Sequence, residues 1–190
     1  MYQPFLNFLQ LYRHIPAHDE TVIAEALEYR EVKEGEVLLT TGDYAREMFF
    51  IGKGVLKITS VNEKGTVVTH FFLKENQFCT ILHSFNNNVP AHENIIAATD
   101  AQLVVFNREK LFGLYNTLPY FKELIHSITQ QALLNKIQLR NSYLGEDATS
   151  RYHNFLMNQS DVALRVALSD VASYLGITQQ SLSRIRKNKS

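Results

Sequence analysis

The hydrophobic period of this chain changes sharply between residues 106 and 119. From about residue 28 to 106, short β-rich runs alternate with Gly, Asn, Asp and Lys. They are Tyr29–Val32, Val37–Thr40, Met48–Ile51, Val55–Thr59, Val67–Leu73, Ile95–Ala98 and Leu103–Phe106. After Pro119 the apolar residues recur instead at steps of three and four: Phe121, Leu124, Ile125, Ile128, Ala132, Leu134, Ile137 and Leu144. A strand repeats its faces every two residues and a helix every 3.6, so one period cannot serve for the other. The chain must therefore join a β-rich unit to a helical one. Many short strands at this spacing predict a sandwich or barrel-like roll. Gly35, Gly42, Gly52, Gly54 and Gly65 punctuate it, and Asn62-Glu63-Lys64-Gly65 reads as a hairpin tip. Residues 1–27 read as helical, with Phe5, Phe8, Leu9 and Leu11 clustered ahead of Ile23, Ala26 and Leu27.

The second period predicts one long helix from Pro119, which suits a first helical turn, to about Gly145, which suits a helix end. At 1.5 Å per residue it is roughly 37 Å long, more than one small β unit can cover. Its apolar stripe has two readings. It packs on the same helix of a second subunit, or it folds back on its own domain.

Composition narrows the setting. No uninterrupted apolar run exceeds four residues, as in Met48-Phe49-Phe50-Ile51, so no membrane-spanning helix is expected. The start, MYQPFLNFLQLYR, lacks the basic opening and small-residue cleavage site of a secretory signal. A single cysteine, Cys79, excludes an intramolecular disulfide and a Cys-rich metal centre. A cytoplasmic protein with no membrane partner is expected. Its 19 basic and 19 acidic side chains cancel, yet residues 179–190 hold four basic residues and no acidic one.

Those last residues belong to the most informative stretch, LSDVASYLGITQQSLSRIRK, Leu168 to Lys187. Ser169 is placed to cap a helix, with Asp170 at its positive end. Val171, Ala172 and Leu175 form the inner face, and the small Ala172 lets a second helix cross closely. Gly176 turns the chain, Ile177 plugs the corner and Thr178 caps the next helix. Leu182 and Ile185 then face inward. Helix, glycine turn and helix make a helix-turn-helix.

The outward residues suit double-stranded DNA. Glutamine can bond an adenine edge twice and arginine a guanine edge twice. Gln180, Ser181 and Arg184 are the candidates for base contact. Thr178, Ser183, Arg186 and Lys187 are the candidates for phosphates, and Gln179 completes the exposed face. The plain alternatives are a solvated amphipathic helix and a helix pair that docks protein.

A β-rich unit, a long helix and a terminal helix-turn-helix, in that order, resemble the CRP/FNR family of transcription regulators. The most specific carriers are ASYLGITQQSLSRIR and the pattern Gly35-Glu36, Gly42-Asp43, Phe50-Ile51, Gly54-Val55-Leu56-Lys57-Ile58, Gly65. The resemblance implies an α+β fold with three parts. Residues 1–118 form a cyclic-nucleotide-binding-like β-roll (a double-stranded β-helix), 119–145 a dimerisation helix and 146–190 a helix-turn-helix domain. It further implies a homodimer on a near-palindromic operator, and RNA polymerase as a further partner. The sequence runs only three residues past Lys187, so the β-hairpin wing of many relatives is not expected. The alternative function is a β-roll that binds a protein or a small ligand without specific DNA binding.

The family's phosphate-binding cassette does not carry over. Cyclic-AMP-binding members open it with Phe-Gly-Glu and close it with Arg-Ser or Arg-Thr before a buried Ala. Aligned on Ala98, this chain has Cys79 for the Gly and Thr80 for the ribose-binding Glu. His92 stands for the phosphate-binding Arg and Glu93 for the Ser or Thr. A carboxylate about 5 Å from a phosphate charge repels it by roughly 3 kcal/mol at an effective dielectric of 20. The family's adenine-contacting hydroxyls fall near Lys136 and Ile137. The resemblance thus implies a regulator that does not answer to cyclic AMP. Cys79, Thr80, His83, His92 and Glu93 either line a degenerate effector pocket for an unidentified ligand or belong to a solvated loop. The run Asn86-Asn87-Asn88 favours a mobile turn there.

No enzyme is expected. His14, His18, His70, His83, His92, His126 and His153 contain neither an HxH pair nor an HExxH helix, so neither a metal nor another cofactor is expected. Cys79 is either a redox sensor or a small buried hydrophobe.

Overall fold

A computed structural model of the chain describes residues 2–187. The first helices, α1 (Gln3–Gln10) and α2 (Ala17–Glu25), precede eight strands. These are β1 (Leu27–Val32), β2 (Val37–Leu39), β3 (Glu47–Lys53), β4 (Leu56–Val61), β5 (Val67–Leu73), β6 (Phe78–Cys79), β7 (Asn94–Ala97) and β8 (Ala101–Asn107). A short helix, α3 (Leu82–Asn87), lies between β6 and β7. The helices α4 (Arg108–Thr117), α5 (Pro119–Asn141), α6 (Ala148–Ala163), α7 (Leu168–Tyr174) and α8 (Gln179–Lys187) follow. The α+β reading holds, and each of the seven β-rich runs coincides with a strand, three of them overrunning it by one residue at Thr40, Val55 and Ala98.

The strands form two antiparallel four-stranded sheets, ordered β1-β8-β3-β6 and β2-β7-β4-β5. Their inner faces alternate with solvent-facing positions and share one core. Helix α1 closes that core on one side. The Phe5 ring sits 5.0 Å from Phe50 and 5.3 Å from Phe106, edge to face. The roll turns from β3 to β4 at Gly54, whose φ is +100°. A Cβ there would lie 2.5 Å from the Asp100 carbonyl, so only glycine fits. The turn fixes Val55, whose carbonyl accepts the Ala98 N–H at 2.8 Å. Val55 and Ala98 leave the roll's own core and join the one beneath α7.

Helix α5 spans 23 residues, about 35 Å. The reading in which the stripe folds back on its own domain holds for the first half of the helix only. Phe121, Leu124, Ile125 and Ile128 are buried against the roll. Leu133, Leu134 and Ile137, one to three turns further on, are 44 %, 48 % and 47 % exposed.

Three local expectations need correction, and one strand carries no sequence signal. Helix α5 ends at Asn141, not near Gly145, because the chain has already turned at Tyr143 and Leu144. Ser169 does not cap α7. The helix begins one residue earlier, and Ala167 stands at the cap. The asparagine run is the end of α3. Asn88 closes it with φ +52°, donating its N–H to the Ser84 carbonyl, since asparagine tolerates the left-handed region. Strand β6 is only two residues long and carries no readable period.

Candidate DNA-reading helix, effector cavity and the joint between them

Helix α8 is held by local chemistry. Gly176 takes φ +66°, and the Ile177 N–H donates to the Ala172 carbonyl at 3.0 Å, which closes the turn. Thr178 Oγ1 then accepts the Ser181 N–H at 3.1 Å, the expected cap. Leu182 is fully buried against Val171, Ala172 and Leu175, with Tyr152 and Phe155 of α6 below. Gln179, Gln180, Ser183, Arg184, Arg186 and Lys187 are exposed. No ion pair joins Arg184, Arg186 or Lys187 to a carboxylate among the described residues. Ser181 differs from its neighbours. It is half-buried and its hydroxyl shares a hydrogen bond with Thr178 at 2.9 Å, so both hydroxyls are engaged in the cap. The fourth basic residue of the tail lies outside the described residues.

The helix pair is seated on the roll. Strand β5 is the edge of its sheet, and Ser173 of α7 meets that edge. Ser173 Oγ accepts the Thr69 N–H at 2.9 Å and donates to the Val67 carbonyl at 3.1 Å. An open strand edge is a template for pairing with other chains, and α7 covers this one. Phe72 enters the helical core, 5.3 Å from Tyr174 and 6.3 Å from Phe155.

Three charged contacts surround this seat. Lys57 meets Asp170 at 2.7 Å, with both side chains largely buried. Lys74 meets Asp161 at 2.7 Å, and Arg165 grips Glu75 through both guanidinium ends, at 2.6 and 3.0 Å. A largely buried pair adds little over an apolar substitute but fixes geometry, since removing one partner costs about 3–5 kcal/mol. Asp170 thus anchors α7 to the roll as well as favouring its positive end.

A second feature is a cavity of about 490 Å³ between the roll and α5. Thr80, His83, His92 and Glu93 line it. Cys79 does not. It pairs with Phe49 across β3 and β6 and is fully buried, and burial pushes its thiol up to about 12. A thiol so protonated is a poor nucleophile, which favours the small buried hydrophobe over the redox sensor. Thr80 and Ser84 are occupied, Thr80 Oγ1 donating to the Glu47 carbonyl at 2.9 Å and Ser84 Oγ bridging Ala45 and Val89.

The long helix brings two cations that loop reasoning did not count, Lys136 and Arg140. Burial lowers the Lys136 pKa, and its ammonium lies 5.5 Å from the centre of the Phe71 ring. His70 also lines the cavity. It is the extra residue of a bulge in β5, bonded to Ser60 at 2.7 Å, and burial lowers its pKa. The signal for Lys136 is its alignment with the family's adenine-contacting position, and Arg140 lies one turn further along α5.

Among the described residues no helix is long and apolar enough to cross a membrane, and no three or more His, Cys, Asp or Glu side chains gather as metal ligands.

Comparisons with known proteins agree with this geometry. Residues 29–117 match the model of the cyclic nucleotide-binding domain. The cAMP-dependent protein kinase regulatory subunit of Mycosarcoma maydis is 28 % identical over 116 residues. Those residues are 59 % of this chain but only 22 % of that protein, so the chain spans about a fifth of its length. The c-di-GMP-responsive global regulator CLP of Xanthomonas campestris superposes with a TM-score of 0.73 at 16 % identity, covering 91 % of both chains. A protein assigned to the CRP/FNR family from Eubacterium rectale gives 0.70 at 16 % identity, covering 96 % of this chain and 87 % of its own. The β-roll is thus similar to a cyclic nucleotide-binding domain over residues 29–117. The chain as a whole has the architecture of the CRP/FNR regulators, with roll, long helix and terminal helix pair in that order.

The joint holds a carboxylate whose pKa is lowered. Burial alone would raise the Glu75 pKa, but the Arg165 guanidinium and the Gly54 N–H, 2.7 Å away, bring it from 4.5 down to about 2. A carboxylate lowered on folding stabilises the fold fully above its unfolded value and loses that contribution as pH falls towards the folded one. Glu75→Gln is expected to lower Tm at neutral pH by roughly 3–6 °C. The gap to wild type should close between pH 4.5 and about 2, followed by circular dichroism melts.

Proposed function

We propose that this chain is a homodimeric DNA-binding transcription regulator of the CRP/FNR type, acting in the cytoplasm, whose roll does not bind cyclic AMP in the family mode. The observation that carries the DNA reading is the outer face of α8. Six polar or basic side chains stand exposed there without a carboxylate, on a helix whose inner face is locked into a core. Gln180 and Arg184 are assigned to base edges, with Gln179 beside them. Ser183, Arg186 and Lys187 are assigned to phosphates, with Thr178 and Ser181 at the helix start, where the positive end of the helix dipole favours an anion. The exposed second half of α5 supports the dimer, because Leu133, Leu134 and Ile137 form an apolar strip at helical spacing. RNA polymerase is the further partner that this reading implies.

DNA selected from a random library is the test. Arg184→Ala should weaken binding to the selected sequence by about 5- to 150-fold, the worth of one bidentate arginine–guanine contact. Undiminished binding would favour a protein-docking helix pair.

For the effector cavity, the reading is a changed ligand. Thr80 replaces a carboxylate and is engaged with the backbone, and His92 replaces an arginine. Glu93 places a negative charge in the cavity wall where cyclic AMP would bring a phosphate. His83, His92, Glu93, Lys136 and Arg140 remain to face an effector. Calorimetry with cyclic AMP should show no saturable heat at micromolar concentrations, whereas saturation in that range would restore the family ligand.

A further inference from the structure

Three cavities lie in series along α5. The largest is the effector cavity of about 490 Å³. A small space of about 40 Å³ adjoins it and shares Thr80, Leu82 and Leu133 with its wall. A third cavity, of about 270 Å³, adjoins that space through Phe78 and Ala132. It opens between α1, α5, α6 and the turn from β5 to β6. Among the described residues, Lys136 is the one that lines all three.

The small space is an apolar neck. It has room for a few water molecules, so it passes a chain and not a ring. Its two hydroxyls are already paired, Thr80 with the Glu47 carbonyl and Thr129 Oγ1 with the Ile125 carbonyl at 2.8 Å. Met48, Phe78, Leu82, Ala132 and Leu133 are left to face an occupant. Beyond the neck, the buried rings of Phe8, Phe72 and Phe78 floor the third cavity. At its rim Gln131 is bonded to Asn135 at 3.0 Å, and Asn158 to the Asn154 carbonyl at 2.8 Å.

The charge of the passage is one-sided. No Asp or Glu lines the neck or the third cavity, and Lys74 there is paired with Asp161. Lys136 and Arg140 take part in no ion pair among the described residues. Glu93, the acidic residue of the larger cavity, forms none with either. A desolvated ammonium without a counter-charge is costly, and a carboxylate would offset that cost.

We propose that the effector is a medium-chain fatty carboxylate. Its carboxylate sits in the larger cavity against Lys136 and Arg140. Its alkyl chain runs through the neck onto the phenylalanine floor, and Lys136 moves aside on its flexible stem to admit it. The proposal rests on the reading of the larger cavity as an effector site with a changed ligand. An occupant would hold the stretch of α5 that carries Leu133, Leu134 and Ile137, the exposed strip assigned to the dimer.

Calorimetry on the full chain, without DNA and at neutral pH, tests this with decanoate, butyrate and cyclic AMP as separate titrants. Decanoate is kept below the concentration at which it forms micelles, and it should saturate. Butyrate has the carboxylate but no chain to pass the neck. It should bind at least a hundredfold more weakly, since each buried methylene is worth about fourfold. Ala132→Leu, at a half-buried position, fills the neck and should weaken decanoate about tenfold. Lys136→Met removes the charge but keeps an unbranched stem, and a similar loss is expected. The chain-length comparison needs no variant, so it keeps the test open if Ala132→Leu does not fold. Decanoate that fails to saturate, or that binds no better than butyrate, would overturn the proposal. So would a decanoate affinity untouched by either substitution. Saturation by cyclic AMP would instead overturn the changed-ligand reading beneath it.

Discussion

The seating of α7 on the open edge of β5 governs everything a regulator of this shape can do. One serine closes both ends of the contact, accepting from Thr69 and donating to Val67. Phe72 crosses the same boundary into the helical core, and Val55 and Ala98 follow it. The roll and the helix pair thus share a core. The exposed face of α8 is held on a frame that is continuous with the roll. Any ligand that alters β5, β4 or the end of α5 acts on that frame directly.

The charged contacts around the seat complement the apolar ones. Lys57–Asp170, Lys74–Asp161 and Arg165–Glu75 all run between the roll and the C-terminal helices α6 and α7 or the turn between them. Such pairs add modestly to stability and strongly to geometry. Glu75 is central, since it takes the Gly54 N–H with the same carboxylate that holds Arg165. The turn that only glycine can make is thereby coupled to the position of α6.

The strands, the long helix and the helix-turn-helix were legible in the sequence because each repeats a period or a turn signal over many residues. Gly176, Ala172, Thr178 and Leu182 do what their types predict. Strand β6 and the short helix α3 were not legible, because two residues carry no period and six mostly polar ones look like a loop. The effector cavity was half legible. Thr80, His83, His92 and Glu93 follow from the cassette alignment and Lys136 from the adenine-contacting position, whereas Arg140 reaches the cavity from α5 with no sequence signal. Cys79 aligned with the cassette but belongs to the core.

The most direct measurement is the mapping of DNA bound by the chain in cells. Two recognition helices related by the α5 strip should stand about one helical turn, roughly 34 Å, apart. The account predicts an enriched motif of two inverted half-sites about 10 base pairs between centres. Bound DNA with no shared motif, or with a single unpaired half-site, would contradict it.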